Sequence, residues 1–194
     1  LWKTGDYESQ QFHSSPVTWR SPQGPRVIVN VDNRSTICVD PTSGKTNWTI
    51  RSEANHSTPI VVEDRLLTYG SSRKKGLRCY QMTSDKAELR WTYQGTADPG
   101  SSPVVVGNHV YVQGDKRLAC VHLDNGEAAW LTQLDLNKPR YTSLIAVNKQ
   151  VFYVFDSVIC FAATSEKFQP LMQARINNQG LLAEESTFRE RYGM

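Results

Sequence analysis

The chain has 194 residues, 39% of them hydrophobic and 21% charged, which is the composition of an ordinary globular domain. Its net charge of +3 is scattered apart from the short basic turn Ser72-Arg73-Lys74-Lys75, too little to argue for a nucleic-acid partner. No apolar run approaches the roughly 20 residues that a membrane-spanning helix needs.

Taken in chain order, the sequence repeats. Trp2 stands where the closing strand of an earlier unit would end, and the chain starts mid-repeat without an initiator methionine, so it reads as an excerpt of a longer protein. Ser14-Ser15-Pro16 opens the first full unit. Ser57-Thr58-Pro59, Ser101-Ser102-Pro103 and Thr142-Ser143-Leu144 open three more. Cys38, Cys79, Cys120 and Cys160 follow at gaps of 41, 41 and 40 residues, and Trp48, Trp91 and Trp130 close three units, with Leu171 or Met172 in the fourth tryptophan's place. A period of ~40 residues points to a propeller or a helical solenoid.

Segment lengths decide between them. In the third unit SPVVVG, HVYVQG, RLACVHL and AAWLTQL are short, rich in β-formers and separated by Gly, Asn and Asp. The 10–15-residue amphipathic segments of a helical repeat are missing. Four short strands per ~40 residues describe one propeller blade. The cysteine strands are apolar on both faces, with Leu118, Cys120 and His122 alternating with Ala119 and Val121, as a sheet packed on both sides requires. The expectation is an all-β propeller of about four antiparallel, four-stranded blades, approximately 14–55, 56–98, 99–139 and 140–176, belonging to a larger ring. Residues 1–5 are the outer strand of a preceding blade. Residues 177–194 depart from the pattern, and the spacing of Leu181, Phe188 and Tyr192 suggests a short helix inserted between blades, or a linker.

In that arrangement the cysteines mark one structural position. Equivalent sites in adjacent blades stand about 10 Å apart, the spacing of stacked sheets, whereas a disulfide needs Cα atoms within about 7 Å. The thiols are therefore expected to be buried and unpaired, and they converge on no metal. Asn33, Asn47 and Asn55 begin glycosylation sequons, a pattern short enough to arise by chance.

The sequence DPTSGKTNW, residues 40–48, resembles the tryptophan-docking motif of PQQ-type (quinoprotein-like) propeller repeats. LDNGEAAW at 123–130 is a shorter version and MTSDKAELRW at 82–91 a degraded one. The resemblance implies that Trp2, Trp48, Trp91 and Trp130 dock between adjacent blades. It also places His13, His56 and Tyr141, with Gly100 in the related slot of unit three, at the start of the innermost strands near one mouth of the central channel. They read either as ligand contacts of a channel rim or as polar residues bonding loop backbone. Members of this family include PQQ-dependent dehydrogenases, which hold the quinone against adjacent cysteines and a stacking tryptophan beside Ca²⁺, and also proteins without a quinone, such as the periplasmic lipoprotein of the outer-membrane β-barrel assembly machinery. This sequence has no adjacent cysteines, and with the tryptophans assigned to docking none is spare for stacking. The expected function is a non-enzymatic, extracytoplasmic interaction scaffold. No cofactor and no metal are expected, the protein partner is unidentified, and self-association through open blade ends is expected. The alternative is a fragment of a PQQ-dependent dehydrogenase whose site lies in other blades.

Overall fold

The computed structural model describes residues 2–3, 13–32, 34–54, 56–135 and 141–176. The expected helix at 177–194 and the asparagines Asn33 and Asn55 lie outside the described residues. Sixteen strands form four separate antiparallel sheets, each with its strands in sequence order. Blade one holds β1 (Val17–Ser21), β2 (Gly24–Val31), β3 (Ser35–Val39) and β4 (Thr46–Arg51); blade two holds β5 (Ile60–Val62), β6 (Arg65–Tyr69), β7 (Leu77–Met82) and β8 (Ala87–Tyr93). Blade three has β9 (Val104–Val106), β10 (His109–Gly114), β11 (Arg117–His122) and β12 (Ala128–Gln133); blade four has β13 (Leu144–Val147), β14 (Gln150–Val154), β15 (Ser157–Ala162) and β16 (Pro170–Arg175). No helix occurs among the described residues, and none is long and apolar enough to cross a membrane.

One cross-strand row explains the repeat. Cys38 faces Trp48, Cys79 faces Trp91, Cys120 faces Trp130 and Cys160 faces Met172, each at the same place between the third and fourth strands. Met172, rather than Leu171, therefore occupies the fourth tryptophan position. A β-bulge follows every cysteine, at Cys38/Val39, Cys79/Tyr80, Cys120/Val121 and Cys160/Phe161. A bulge bends a strand and raises its local twist, and here it recurs just before the turn that receives the neighbouring blade's tryptophan. The row and its extensions, such as Val17, Ile28, Cys38 and Trp48 in blade one, pack on Leu66, Tyr80 and Met82 of the next blade. In blade three Leu118 and Cys120 face blade four while Ala119 and Val121 face blade two, so both faces of β11 are buried.

All four cysteines are free and buried. Burial pushes the thiols of Cys38, Cys79 and Cys120 up to about 11, which keeps them protonated and unreactive at neutral pH. They act as small apolar residues where a larger side chain would hold the blades apart.

The docking turns correct the sequence reading in one respect. Unit three is not shorter: ten residues separate Cys120 from Trp130, as they separate Cys38 from Trp48, and His122 stands where blade one has Asp40. In both turns a glycine N–H bonds back four residues, Gly44 to Asp40 and Gly126 to His122. Trp2 sits face-on over Gly44 and donates its indole N–H to the Pro41 carbonyl at 2.9 Å. Trp91 lies over Gly126 in the same way and donates to Leu123 at 3.0 Å; Trp48 donates to Thr83 and Trp130 to Thr164. The outward face of blade four carries the corresponding row, Ile145, Phe152, Cys160 and Met172, and its ends Ile145 and Met172 are exposed, as are Val147 and Val154 on the same face.

Candidate functional site

The opening motif of each unit builds the inner edge of the array. The backbone N–H of Ser15 donates to the Thr58 hydroxyl at 3.1 Å, that of Thr58 to the Ser102 hydroxyl at 3.0 Å, and that of Ser102 to the Ser143 hydroxyl at 3.2 Å. Each donor and acceptor is the middle residue of its motif, so one hydroxyl per unit fastens the blade before it. Behind this belt the Asn30 amide donates to the Ser57 carbonyl, and the Gln113 amide donates to the Thr142 carbonyl and the Ser101 hydroxyl. Buried polar groups of this kind fix one register only when their partners are in place.

The residues that precede these motifs converge. His13 and His56 stand edge to face with ring centroids 4.5 Å apart, and Tyr141 lies 6.0 Å from His56. With Gly100 they line one cavity of about 340 Å³. A side chain at Gly100 would collide with the Tyr141 ring and press on His56, so unit three contributes floor rather than a wall. The buried Asp98 organises this corner, its Oδ1 accepting the N–H groups of Gly100, Ser101 and Tyr141. Tyr141 is held with φ near +59°, a left-handed conformation unusual for an aromatic residue, and its ring is 60% exposed. The backbone of His56 is fixed by its N–H bond to the Pro99 carbonyl. Burial first, then the neighbouring His13, pulls the His56 pKa below the ordinary imidazole value, and its buried Nδ1 has no hydrogen-bond partner among the described residues. The arrangement presents one neutral, underused imidazole, a second imidazole and a displayed phenol, a set suited to hydrogen bonding and stacking with a ligand group.

A wider groove of about 470 Å³ runs between blades two and three, beside Trp91, Arg65, Arg90 and Asp124. Arg65 is paired with Asp124 at 2.7 Å and the wall is the docked tryptophan, so the groove reads as the seam of an inter-blade contact. Among the described residues no group of three or more His, Cys, Asp or Glu gathers, so none forms a site closed by protein ligands alone.

The residues present do not fit a quinone held in the family's manner. The cysteines sit in four different blades, each buried. The docking tryptophans are pinned by their indole N–H bonds. One correction concerns Trp19, which the docking assignment overlooked. It lies on the inner strand β1, 2% exposed, packed between blades one and two with its N–H on the Asp64 carboxylate at 3.1 Å, and it too offers no open face. Sequence reading also missed His109 and His122, whose rings stand 5.0 Å apart on blade three. The signal was there: the turn Asp115-Lys116 pairs these two positions across the hairpin.

Comparison with known proteins bears on these features. The family model described as outer membrane protein assembly factor BamB, of PQQ-type repeats, matches residues 1–190. Among solved structures, BamB from Moraxella catarrhalis is 14% identical, with a TM-score of 0.60 over 84% of this chain and 50% of that one. The quinohemoprotein alcohol dehydrogenase ADHIIG from Pseudomonas putida HK5 is 8% identical, with a TM-score of 0.62 over 87% of this chain and 35% of that one. The computationally designed Ika4 protein is 10% identical, with a TM-score of 0.58 over 82% of this chain and 96% of that one. At such identities the structural likeness shows the fold. The chain spans half the length of the BamB it matches and about a third of the dehydrogenase. No curated protein sequence matches it.

Proposed function

Because this chain belongs to the BamB family of PQQ-type repeat propellers, we propose that it is a non-enzymatic interaction scaffold working outside the cytoplasm, with His13, His56 and Tyr141 as its contact rim. The observation that carries this reading is the convergence of those three side chains on one open cavity, over a belt of hydroxyl bonds that ties the four blades into a rigid base. Loops held on a rigid scaffold are where propellers present binding groups. The likeness to an assembly factor supports a protein partner and an extracytoplasmic location.

We propose units at 14–55, 56–98, 99–139 and 140–176 of a larger ring; of the outer strand expected at 1–5 only residues 2–3 are described, and the insertion or linker expected at 177–194 lies outside the described residues. The exposed apolar residues on the outward face of blade four, Ile145, Val147, Val154 and Met172, support self-association of this chain with a second copy.

The likeness to the alcohol dehydrogenase favours a second reading, a piece of a quinone enzyme whose site lies in other blades. Titration of the full-length protein with PQQ and Ca²⁺ separates the two. The scaffold reading expects no change in the quinone absorbance at stoichiometric concentrations. A saturable, Ca²⁺-dependent complex with dye-linked alcohol oxidation would establish the dehydrogenase instead.

A further inference from the structure

The chain has four histidines, and the structure sorts them into two pairs, His13 with His56 and His109 with His122. The second pair lies away from the rim, on β10 and β11, and it has the geometry of a metal clip. His109 and His122 are direct cross-strand partners, and side chains at such positions leave Cβ atoms about 5 Å apart on the same face. Both backbone ends are locked. The hairpin closes through Asp115 and Lys116, with φ of 52° and 61°, the doubly left-handed turn that sets strand register without slack. At the far end the His122 N–H donates to the Glu127 carbonyl and the Leu123 N–H to the Asn108 carbonyl, while the Asn108 amide bonds Asp124 at 2.6 Å.

The separation between the rings can be set against a shared ion. A nitrogen ligand stands about 2.1 Å from a divalent transition metal, and the ring centre about 1.1 Å behind it, so two imidazoles at a tetrahedral angle have centroids about 5.2 Å apart. The observed separation is 5.0 Å, with the ring planes tilted by 54°. Among the described residues neither imidazole makes a hydrogen bond, so their nitrogens are uncommitted.

From the pairing, the locked hairpin and the ring separation, we propose that His109 and His122 form a binding site for a divalent transition-metal ion of the Cu²⁺ and Zn²⁺ class. Two nitrogens come from the protein and water fills the remaining positions. Asp124, two residues beyond His122, does not complete the set, because Arg65 and Asn108 hold both its oxygens. The ion is consequently exchangeable, and Cu²⁺ binds more tightly than Zn²⁺, as nitrogen ligands dictate.

The test uses a His13→Ala background, which removes the other pair. Cu²⁺ is titrated and followed by electron paramagnetic resonance and by calorimetry, with Zn²⁺ as the second probe. One equivalent of Cu²⁺ in a nitrogen-coordinated spectrum is expected, and adding His122→Ala or His109→Asn should weaken binding at least tenfold. Both positions are half-buried, and an unchanged urea midpoint without metal shows that the variants still fold. Zn²⁺ should raise the midpoint of the His13→Ala protein and not that of the double variants. Failure to bind Cu²⁺ in the His13→Ala background, or equal binding after His122→Ala, overturns the site.

Discussion

Substituting Gly126 by alanine probes the docking of one blade on the next. Gly126 adopts φ near +77°, and a Cβ there would lie 2.6 Å from the ring carbons of Trp91. The left-handed conformation costs a β-carbon about 1 kcal/mol. To reach ordinary contact at about 3.4 Å the indole must retreat by roughly 0.8 Å, which stretches its 3.0 Å bond to the Leu123 carbonyl beyond hydrogen-bonding range. Losing that bond costs about 1 kcal/mol, and the opened packing around Trp91, buried against Cys79 and Leu123, about another. Gly126→Ala should therefore destabilise by about 3 kcal/mol, summed from those three effects. Gly107 supplies the control, because it has φ near +58° and a β-carbon there would have no neighbour within 4 Å, so Gly107→Ala carries the backbone cost without a clash. Urea unfolding of both variants, alone and with Trp91→Ala, completes a double-mutant cycle. In the Trp91→Ala background the two glycine substitutions should cost the same, about 1 kcal/mol. Equal costs for Gly126→Ala and Gly107→Ala in the parent protein would refute the docking geometry.

Acidification should destabilise the fold through His56 and His109, whose folded pKa values lie below the ordinary 6.5. Below that value the unfolded chain takes up protons that the native imidazoles refuse, so stability is full above it and falls as the pH drops through 6.5 toward the folded pKa values. Urea midpoints between pH 7.5 and 5.5 measure the slope, and His56→Gln should flatten it; a midpoint that rises on acidification over this range contradicts the assignment. Light scattering should detect a dimer of this 194-residue chain, and Ile145→Lys with Met172→Lys, both on the outward face of blade four, should shift it to monomer; a parent protein that stays monomeric at high concentration rejects association through that face.

How much of this was legible before the structure depended on how local each determinant is. The cysteine and tryptophan periods revealed the blades because both residues belong to one cross-strand row, repeated with each sheet. The bulge after each cysteine left no trace, since it replaces no residue type. The S-[ST]-P motif was visible, yet its role was not, because its hydroxyls bond backbone in the neighbouring unit, 41 to 44 residues away. His13, His56 and Tyr141 were grouped by their common repeat position, and the structure brings them to one cavity. Asp98 escaped notice because its part is to gather three N–H groups from two separate loops. Trp19 was hidden by the regularity of the other tryptophans.

Site-specific photocrosslinking tests the contact rim most directly. A photoreactive residue is placed at Tyr141, and in a second protein at Leu89, an equally displayed apolar position on the outer strand of blade two. Both are expressed in the full-length protein in its own cells, and adducts are identified by mass spectrometry. A discrete protein adduct is expected from position 141 that is lost with His56→Ala, and none of that identity from position 89. The same adduct from position 89 and not from 141, or an adduct at 141 that survives His56→Ala undiminished, would contradict the rim assignment.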